Sequence, residues 1–348
     1  MPLLYGWLVL INKGVSMATR TRIVSTGMFV PPKVVTNNDL EKLMDTSDEW
    51  IQQRSGIKER RWIEPGETTL GMAIKASRQA LQRAELQADD IDMIIFGALV
   101  TDHIFPGTGV LIQRELGFTK NVPALDIRNQ CSGFVYALSM ADAWIRSGMH
   151  KRILIVGSEI HSTSLDISTE GRDVSVLFGD GAGAMIVEAT EDKNYILDSI
   201  LHSEGKFASS LTIAGPSSND LPRLSNSTEF KKEWYPHMEG KLVFKNAIER
   251  MTQVVHEILD KNKLKPQDID FVIAHQANAR INQMVMEQLG VPANKTHNTL
   301  HHYGNTTMAT IPITFDEALL KNKIKRGDLV CFVAFGAGFT WGTNLLRY

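Results

Sequence analysis

The segment DIRNQCSGFVYALSMADAWIRSG, Asp126 to Gly148, puts a lone cysteine where a polar stretch passes into an amphipathic pattern. Apolar side chains recur at Phe134, Leu138, Ala141 and Ile145, a spacing that lines one face of a helix. Gly148 is placed to end that helix. Cys131 therefore falls at a helix start, where unpaired backbone N–H groups and the positive end of the dipole favour a thiolate. The competing role for an isolated cysteine is a small buried hydrophobe, and this segment by itself leaves both open. Two further side chains bear on the choice. His275, in FVIAHQANARIN, closes an apolar strand pattern, and Asn305, in HHYGNTTMAT, comes shortly before another helical run. Taken singly, they are an ordinary strand-end histidine and a turn residue after Gly304. Together with a cysteine they form a constellation suited to nucleophilic catalysis.

Other candidates carry less chemistry. GDGAGA, residues 179–184, has Gly-x-Gly spacing. A dinucleotide fingerprint must open a helix, whereas MIVEA follows as a strand, so these glycines read as close backbone packing. His301-His302 has no spaced companions, and no metal site is expected. Cys331 lies inside an apolar strand as core, and Met284 and Met286 read as packing residues.

The three reactive side chains are far apart in the chain, so a repeated architecture has to bring them together. SRQALQRAELQADDIDMIIFGA (77–98) resembles VHEILDKNKLKPQDIDFVIAHQA (255–277), each a helix, a polar loop and a buried strand. IQRELGF (112–118) parallels QMVMEQLGV (283–291), and residues 137–159 parallel 312–336. A period near half the chain length suggests two similar α/β halves, 17–190 and 191–348, packed as a pseudo-dimer. Aligning the halves puts Asn305 near the position equivalent to Cys131. RILIVG (152–157) and LVCFVAFG (329–336) are continuous apolar runs suited to strands covered on both faces. Alternation with helices predicts mixed or parallel sheets, whose carboxyl ends are where ligands bind. The polar stretch 205–237 reads as a long excursion near such a site.

Composition adds limits. The chain has 348 residues and a formal net charge of −2, with no global attraction to nucleic acid. Two cysteines, Cys131 and Cys331, are too few for a disulfide framework and fit a reducing cytoplasm. The apolar run Leu3–Ile11 is too short for membrane insertion. MATRTRIVSTG from Met17 reads as a second start, leaving residues 1–16 as a disordered upstream extension.

QCSGF, HQANARI, YGNT and FGAGFTWG occur in that order, together with GMFVPPKVVTNNDL, TSDEWIQQRSGIKER and FGDGAGA. The ordered set resembles the β-ketoacyl-acyl-carrier-protein synthase III family of the thiolase-like superfamily, over residues 18–348. The resemblance implies a five-layered αβαβα fold of two duplicated halves with mixed sheets, usually a homodimer. It implies that Cys131 takes an acyl group from acyl-CoA. Malonyl-acyl-carrier protein then loses CO2, and its enolate attacks the thioester to give a β-ketoacyl product, in fatty acid initiation or a related pathway. No cofactor beyond these substrates is implied. His275 Nε2 and Asn305 Nδ2 would donate to the enolate oxygen. Backbone N–H groups of Cys131 and Ala337 would form a second oxyanion hole, with Ala337 standing where the family commonly has glycine. Trp50, Arg54 and Arg172 match contacts to the CoA nucleotide. Gly240, Phe244 and Asn278 match the pantetheine tunnel, and Lys245 and Arg280 match basic residues that meet the carrier protein. Phe105 matches a residue reaching into the partner's acyl pocket. IRNQ before Cys131 is bulkier and more polar than the family's usual small residues, and the 205–237 excursion is long; both leave the acyl group open.

Rival functions differ in what they require. A non-elongating acyltransferase of the same fold would use the same acyl-cysteine and stays open. A Cys-His-Asn hydrolase would share the trio, but the papain signature around the cysteine is absent. A degradative thiolase needs a second cysteine where FGAGF has none, and the two-histidine condensing enzymes are disfavoured by Asn305. A non-catalytic carrier-protein module would have no use for all three reactive side chains.

Overall fold

The computed structural model describes residues 19–218 and 231–348. The upstream extension expected at 1–16 and the middle of the 205–237 excursion lie outside the described residues. Nine strands build the two main sheets. The first half supplies β1 (Arg20–Phe29), β2 (Met93–Gly97), β3 (Ala124–Ile127), β4 (Arg152–Glu159) and β5 (Gly181–Thr190). The second supplies β6 (Ile196–Ser203), β7 (Phe271–Ala274), β8 (Leu329–Gly336) and β9 (Thr340–Arg347).

The orders reproduce each other. The first sheet runs β1-β5-β4-β2-β3, with two antiparallel pairings followed by two parallel ones. The second runs β6-β9-β8-β7, antiparallel twice and then parallel. An isolated parallel bridge from Val272 to Thr296 stands where the first sheet has its fifth strand. The apolar runs read from the sequence are strands in both sheets, and every residue of β8 is buried. GDGAGA leads into β5, as expected of packing glycines. A Cβ at Gly183 would fall 2.7 Å from Pro312, and one at Gly179 would fall 2.1 Å from the Tyr303 carbonyl oxygen.

Among the described residues seven helices have eight residues or more: α1 (Asp48–Ser55), α2 (Thr69–Arg83), α3 (Thr108–Leu116), α4 (Gly133–Arg146), α5 (Gly240–Lys261), α6 (Ala279–Leu289) and α7 (Thr310–Leu320). α2 and α3 pack on the outer face of the first sheet, and α5 and α6 on that of the second. Between the sheets lie α4 and α7, in one core with Ile95, Ile155, Ile273 and Phe332. The order is therefore helix, sheet, helix, sheet, helix. Phe134, Leu138, Ala141 and Ile145 are fully buried, as their spacing predicts. α7 is buried almost all round, which is what a helix held between two sheets requires.

Each central helix is entered through a 3₁₀ turn, Gln130–Ser132 before α4 and Thr307–Ala309 before α7. Both turns open on a non-glycine residue with positive φ, Gln130 at 35° and Thr307 at 45°. This corrects the alignment of the halves: the residue equivalent to Cys131 is Met308, and Asn305 lies three positions earlier. The packing is reciprocal. Cys131 sits against Gly336 of the second half, while Met308 fills a socket walled by Gly97, Gly133 and Gly157 of the first.

Candidate active site

Cys131, His275 and Asn305 line one cavity of about 460 Å3, at the carboxyl ends of strands from both halves. His275 directly follows β7, Asn305 precedes the turn into α7, and Cys131 occupies the turn into α4. All three are buried, at 9%, 4% and 5% exposure for Cys131, His275 and Asn305.

Hydrogen bonds fix the orientation of the Asn305 amide and the His275 ring. Asn305 Oδ1 accepts from the Thr307 N–H at 2.8 Å, which leaves its amide nitrogen free to act on the thiol, and the Asn305 side chain lowers the Cys131 pKa. His275 Nδ1 lies 2.7 Å from Thr310 Oγ1, which in turn donates to the Thr307 carbonyl at 2.8 Å. His275 Nε2 is buried with no partner among the described residues. Burial lowers the imidazole pKa to about 3, so the ring is neutral at physiological pH.

The thiol departs from the helix-start expectation. Burial, followed by the negative charge of Glu159, pushes Cys131 up to about 12; its own backbone N–H and the Asn305 amide offset this only in part. The resting group is a thiol. A helix terminus acts over one turn, whereas desolvation here comes from both halves together.

Four contributors were not singled out by sequence reasoning. Glu159 ends β4, fully buried, and accepts hydrogen bonds from Leu99 N at 2.8 Å, Val100 N at 3.0 Å and the Thr307 hydroxyl. Burial raises its carboxyl to about 7. Thr307, strained at positive φ, serves Asn305 through its N–H and Thr310 through its carbonyl, so one residue touches the supports of both Asn305 and His275. Thr310 is the link to His275. The fourth, His161, also lines the cavity. A carboxylate closing a central apolar strand was a readable signal for Glu159; the two threonines gave none.

The remaining expected residues lie around the mouth. Gly240, Phe244, Asn278 and Ala337 line the cavity. Asn278 caps α6 and donates to the Arg54 carbonyl at 2.9 Å, tying α1 to that mouth. Arg54 and Arg172 lie on the Trp50 ring, 4.3 and 5.3 Å from its centroid. Arg280 lies 5.4 Å from the Phe244 ring. Lys245 lines a separate outer groove between α5 and α6 with Phe244 and Met284, while Met286 is buried in the core. Phe105 is 85% exposed and does not enter this chain's own cavity. The ends of the 205–237 excursion form cavity wall: Leu211–Thr212 pairs with His237–Met238, and Leu211 and Met238 face inward. Cys331 is fully buried, 3.2 Å from Thr343 Oγ1. His301 Nδ1 lies 2.6 Å from the Gly56 carbonyl oxygen, and His302 Nδ1 lies 3.6 Å from Glu59 Oε1.

Residues 125–205 match the family model for 3-oxoacyl-[acyl-carrier-protein] synthase III, and 259–348 match that for its C-terminal part. The β-ketoacyl-[acyl-carrier-protein] synthase III of Aquifex aeolicus is 43% identical over 94% of this chain and 99% of its own length. The Thiobacillus denitrificans enzyme is 42% identical over 95% of this chain and all of its own. The chain belongs to the β-ketoacyl-acyl-carrier-protein synthase III family. The Aquifex crystal structure superposes with a TM-score of 0.87 at 42% identity, covering 94% of this chain and 100% of that one. The priming β-ketosynthase of the R1128 polyketide pathway superposes at 0.86 with 30% identity, covering 96% of this chain and 98% of that one. The thiolase-like fold is thereby established. Among the described residues no helix is long and apolar enough to cross a membrane.

Proposed function

We propose that this synthase III family member is an acyltransferase that condenses an acyl group, carried on Cys131, with malonyl-acyl-carrier protein. The observation that carries it is the meeting of a thiol with two neutral side chains, Asn305 and His275, in one cavity. Cys131 sulfur attacks the acyl-CoA carbonyl; CoA leaves with the thiol proton. Malonyl thioester then enters and loses CO2, and its carbonyl oxygen gathers the negative charge of the enolate. Asn305 Nδ2–H and His275 Nε2–H stabilise that oxygen, with no cofactor needed for the step. A donating Nε2–H requires the single Thr310 hydroxyl proton to turn from the Thr307 carbonyl to His275 Nδ1, which then accepts it. The enolate carbon attacks the acyl thioester, the β-ketoacyl product forms, and the Cys131 thiolate departs to regain a proton. A neutral imidazole suits this step, because it brings a proton without a charge that would have to be desolvated.

On the same reading, the N–H groups of Cys131 and Ala337 hold the tetrahedral oxyanion. The Ala337 loop is braced for this: Thr340 Oγ1 donates to the Ala337 carbonyl at 2.8 Å and lies 2.6 Å from Ser132 Oγ. Trp50, Arg54 and Arg172 bind the CoA nucleotide, supported by their shared patch. Gly240, Phe244 and Asn278 guide pantetheine, and Lys245 and Arg280 meet an acidic carrier protein. A homodimer is part of the reading, with Phe105 entering the partner's acyl pocket; the exposure of Ile104 and Phe105 supports a covered surface there. So are a division of the chain at 190/191 and a reducing cytoplasm, supported by two unpaired cysteines.

Intact-mass measurement with a panel of acyl-CoAs, then malonyl-acyl-carrier protein, tests this. The expected result is an acyl adduct lost in Cys131→Ala, followed by a carbon-extended product and CO2. Acylation without malonyl-dependent extension indicates a non-elongating acyltransferase instead.

A further inference from the structure

The cavity holds a second histidine for which the condensation has no use. His161 lies two residues beyond Glu159, at the carboxyl end of β4, and is 2% exposed. It lines the same cavity as Cys131. Its ring packs on Phe178, with centroids 4.4 Å apart. Its backbone N–H is held by Asp180 Oδ1 at 2.7 Å. The Asp180 carboxylate is already occupied by the Ser162 N–H, the Ser162 hydroxyl and the Ile63 N–H, so it does not serve the ring. Nε2 of His161 has no hydrogen-bond partner among the described residues. In this it matches His275 in the same cavity, whose Nε2 is likewise unpartnered.

The two histidines come from different halves of the chain. His275 and the mouth residues Gly240, Phe244 and Asn278 come from the second half. His161 comes from the first, beside Leu99 and Phe178. With the pantetheine arm assigned to the second-half residues, the first-half lining is left for the acyl group. A hydrocarbon chain against it leaves a buried ring nitrogen unpaired, which disfavours that chain. Burial keeps the ring neutral, so it offers one donor and one acceptor. A hydroxyl satisfies either tautomer, whereas a ketone satisfies only the N–H.

We propose that His161 is a specificity-determining residue that hydrogen-bonds a hydroxyl on the acyl chain, so that the enzyme prefers short hydroxyacyl-CoA primers over plain alkyl ones. The proposal rests on the acyl-Cys131 reading and names the substrate class of that site. A site built to pair a substrate hydroxyl discriminates against the analogue lacking it, because its own polar group is then left unpaired.

The test measures the rate of Cys131 acylation by intact mass with butyryl-CoA and with 2-, 3- and 4-hydroxybutyryl-CoA. At least one hydroxylated primer is expected to react about tenfold faster than butyryl-CoA, the factor for one recovered hydrogen bond. His161→Leu is expected to remove or invert that preference, and His161→Gln, which keeps a donor and an acceptor, to retain part of it. Equal rates for all four primers with wild-type protein overturn the inference even if His161→Leu fails to fold. A preference unchanged in folded His161→Leu also overturns it. Absence of acylation with these primers and with the whole acyl-CoA panel overturns the acyl-Cys131 reading itself, a different outcome from acylation without preference.

Discussion

Gly336→Ala probes the seat of the nucleophile. A Cβ at 336 falls 2.7 Å from Cys131 Cβ and 3.3 Å from both Cys131 N and Ser132 N. Carbon atoms rest at about 3.5–4.0 Å, so the turn has to retreat by roughly 1 Å. It has nowhere to go, because α4 follows directly and Phe134 behind it is fully buried in the central core. Misplacing a reacting group by about 1 Å costs on the order of 10²-fold in rate, and overpacking costs about 1–3 kcal/mol of stability. The expected result is a roughly hundredfold slower appearance of acyl-enzyme by intact mass, with a lower Tm. Gly205→Ala is the control: its added Cβ meets nothing within 4 Å, and neither rate nor Tm should move. Wild-type acylation by Gly336→Ala at an unchanged Tm would refute the geometry, since Cys131 would not then be seated against β8.

Three further outcomes follow from the site. His275→Ala and Asn305→Ala should each slow malonyl decarboxylation by about 10²–10³ while leaving acyl loading less affected, read as CO2 release against acyl-enzyme formation; full malonyl turnover in both variants removes their assigned role. Thr310→Val should slow decarboxylation with Thr310→Ser restoring it, because the hydroxyl orients His275 Nδ1; a rate unaffected by valine dismisses the link. Glu159 has a native pKa of about 7 against an ordinary 4.5, so the native state binds the proton more tightly and stability falls as pH rises between those values, by about 3 kcal/mol in all. Thermal melts should therefore show Glu159→Gln gaining on wild type from pH 5 to pH 8, and parallel curves would show that the carboxyl is not held as buried acid.

The sequence carried the layered architecture because strands and helices here follow simple periodicity. LVCFVAFG is continuous and apolar since both faces of β8 are covered, and the α4 stripe is regular since one face meets each sheet. Cys131, His275 and Asn305 were legible because their residue types have few structural uses in combination. The mutual register of the halves was not, because RNQCSGF and GNTTMAT share a backbone shape rather than side chains. The positive φ of Gln130 and Thr307 falls on residues that carry no signal for it. The raised thiol pKa was equally out of reach, since it depends on Glu159 and on burial supplied by a distant segment.

The reciprocal turns explain why one half holds Cys131 and the other the two side chains proposed as donors. Both halves thrust the same strained turn against the opposite sheet. In the first half the residue at its centre is a cysteine facing the cavity; in the second it is Met308, filling a socket of three glycines. Filling that socket fixes the second turn, and with it Thr307, whose N–H and carbonyl set Asn305 and His275. The apolar plug thus does for the donors what Gly336 does for the sulfur: each sets the position of a reacting group by how closely two backbones approach. Enlarging Gly157, whose Cβ would fall 2.9 Å from Met308 Cγ, displaces the donors and spares the nucleophile, the mirror image of enlarging Gly336.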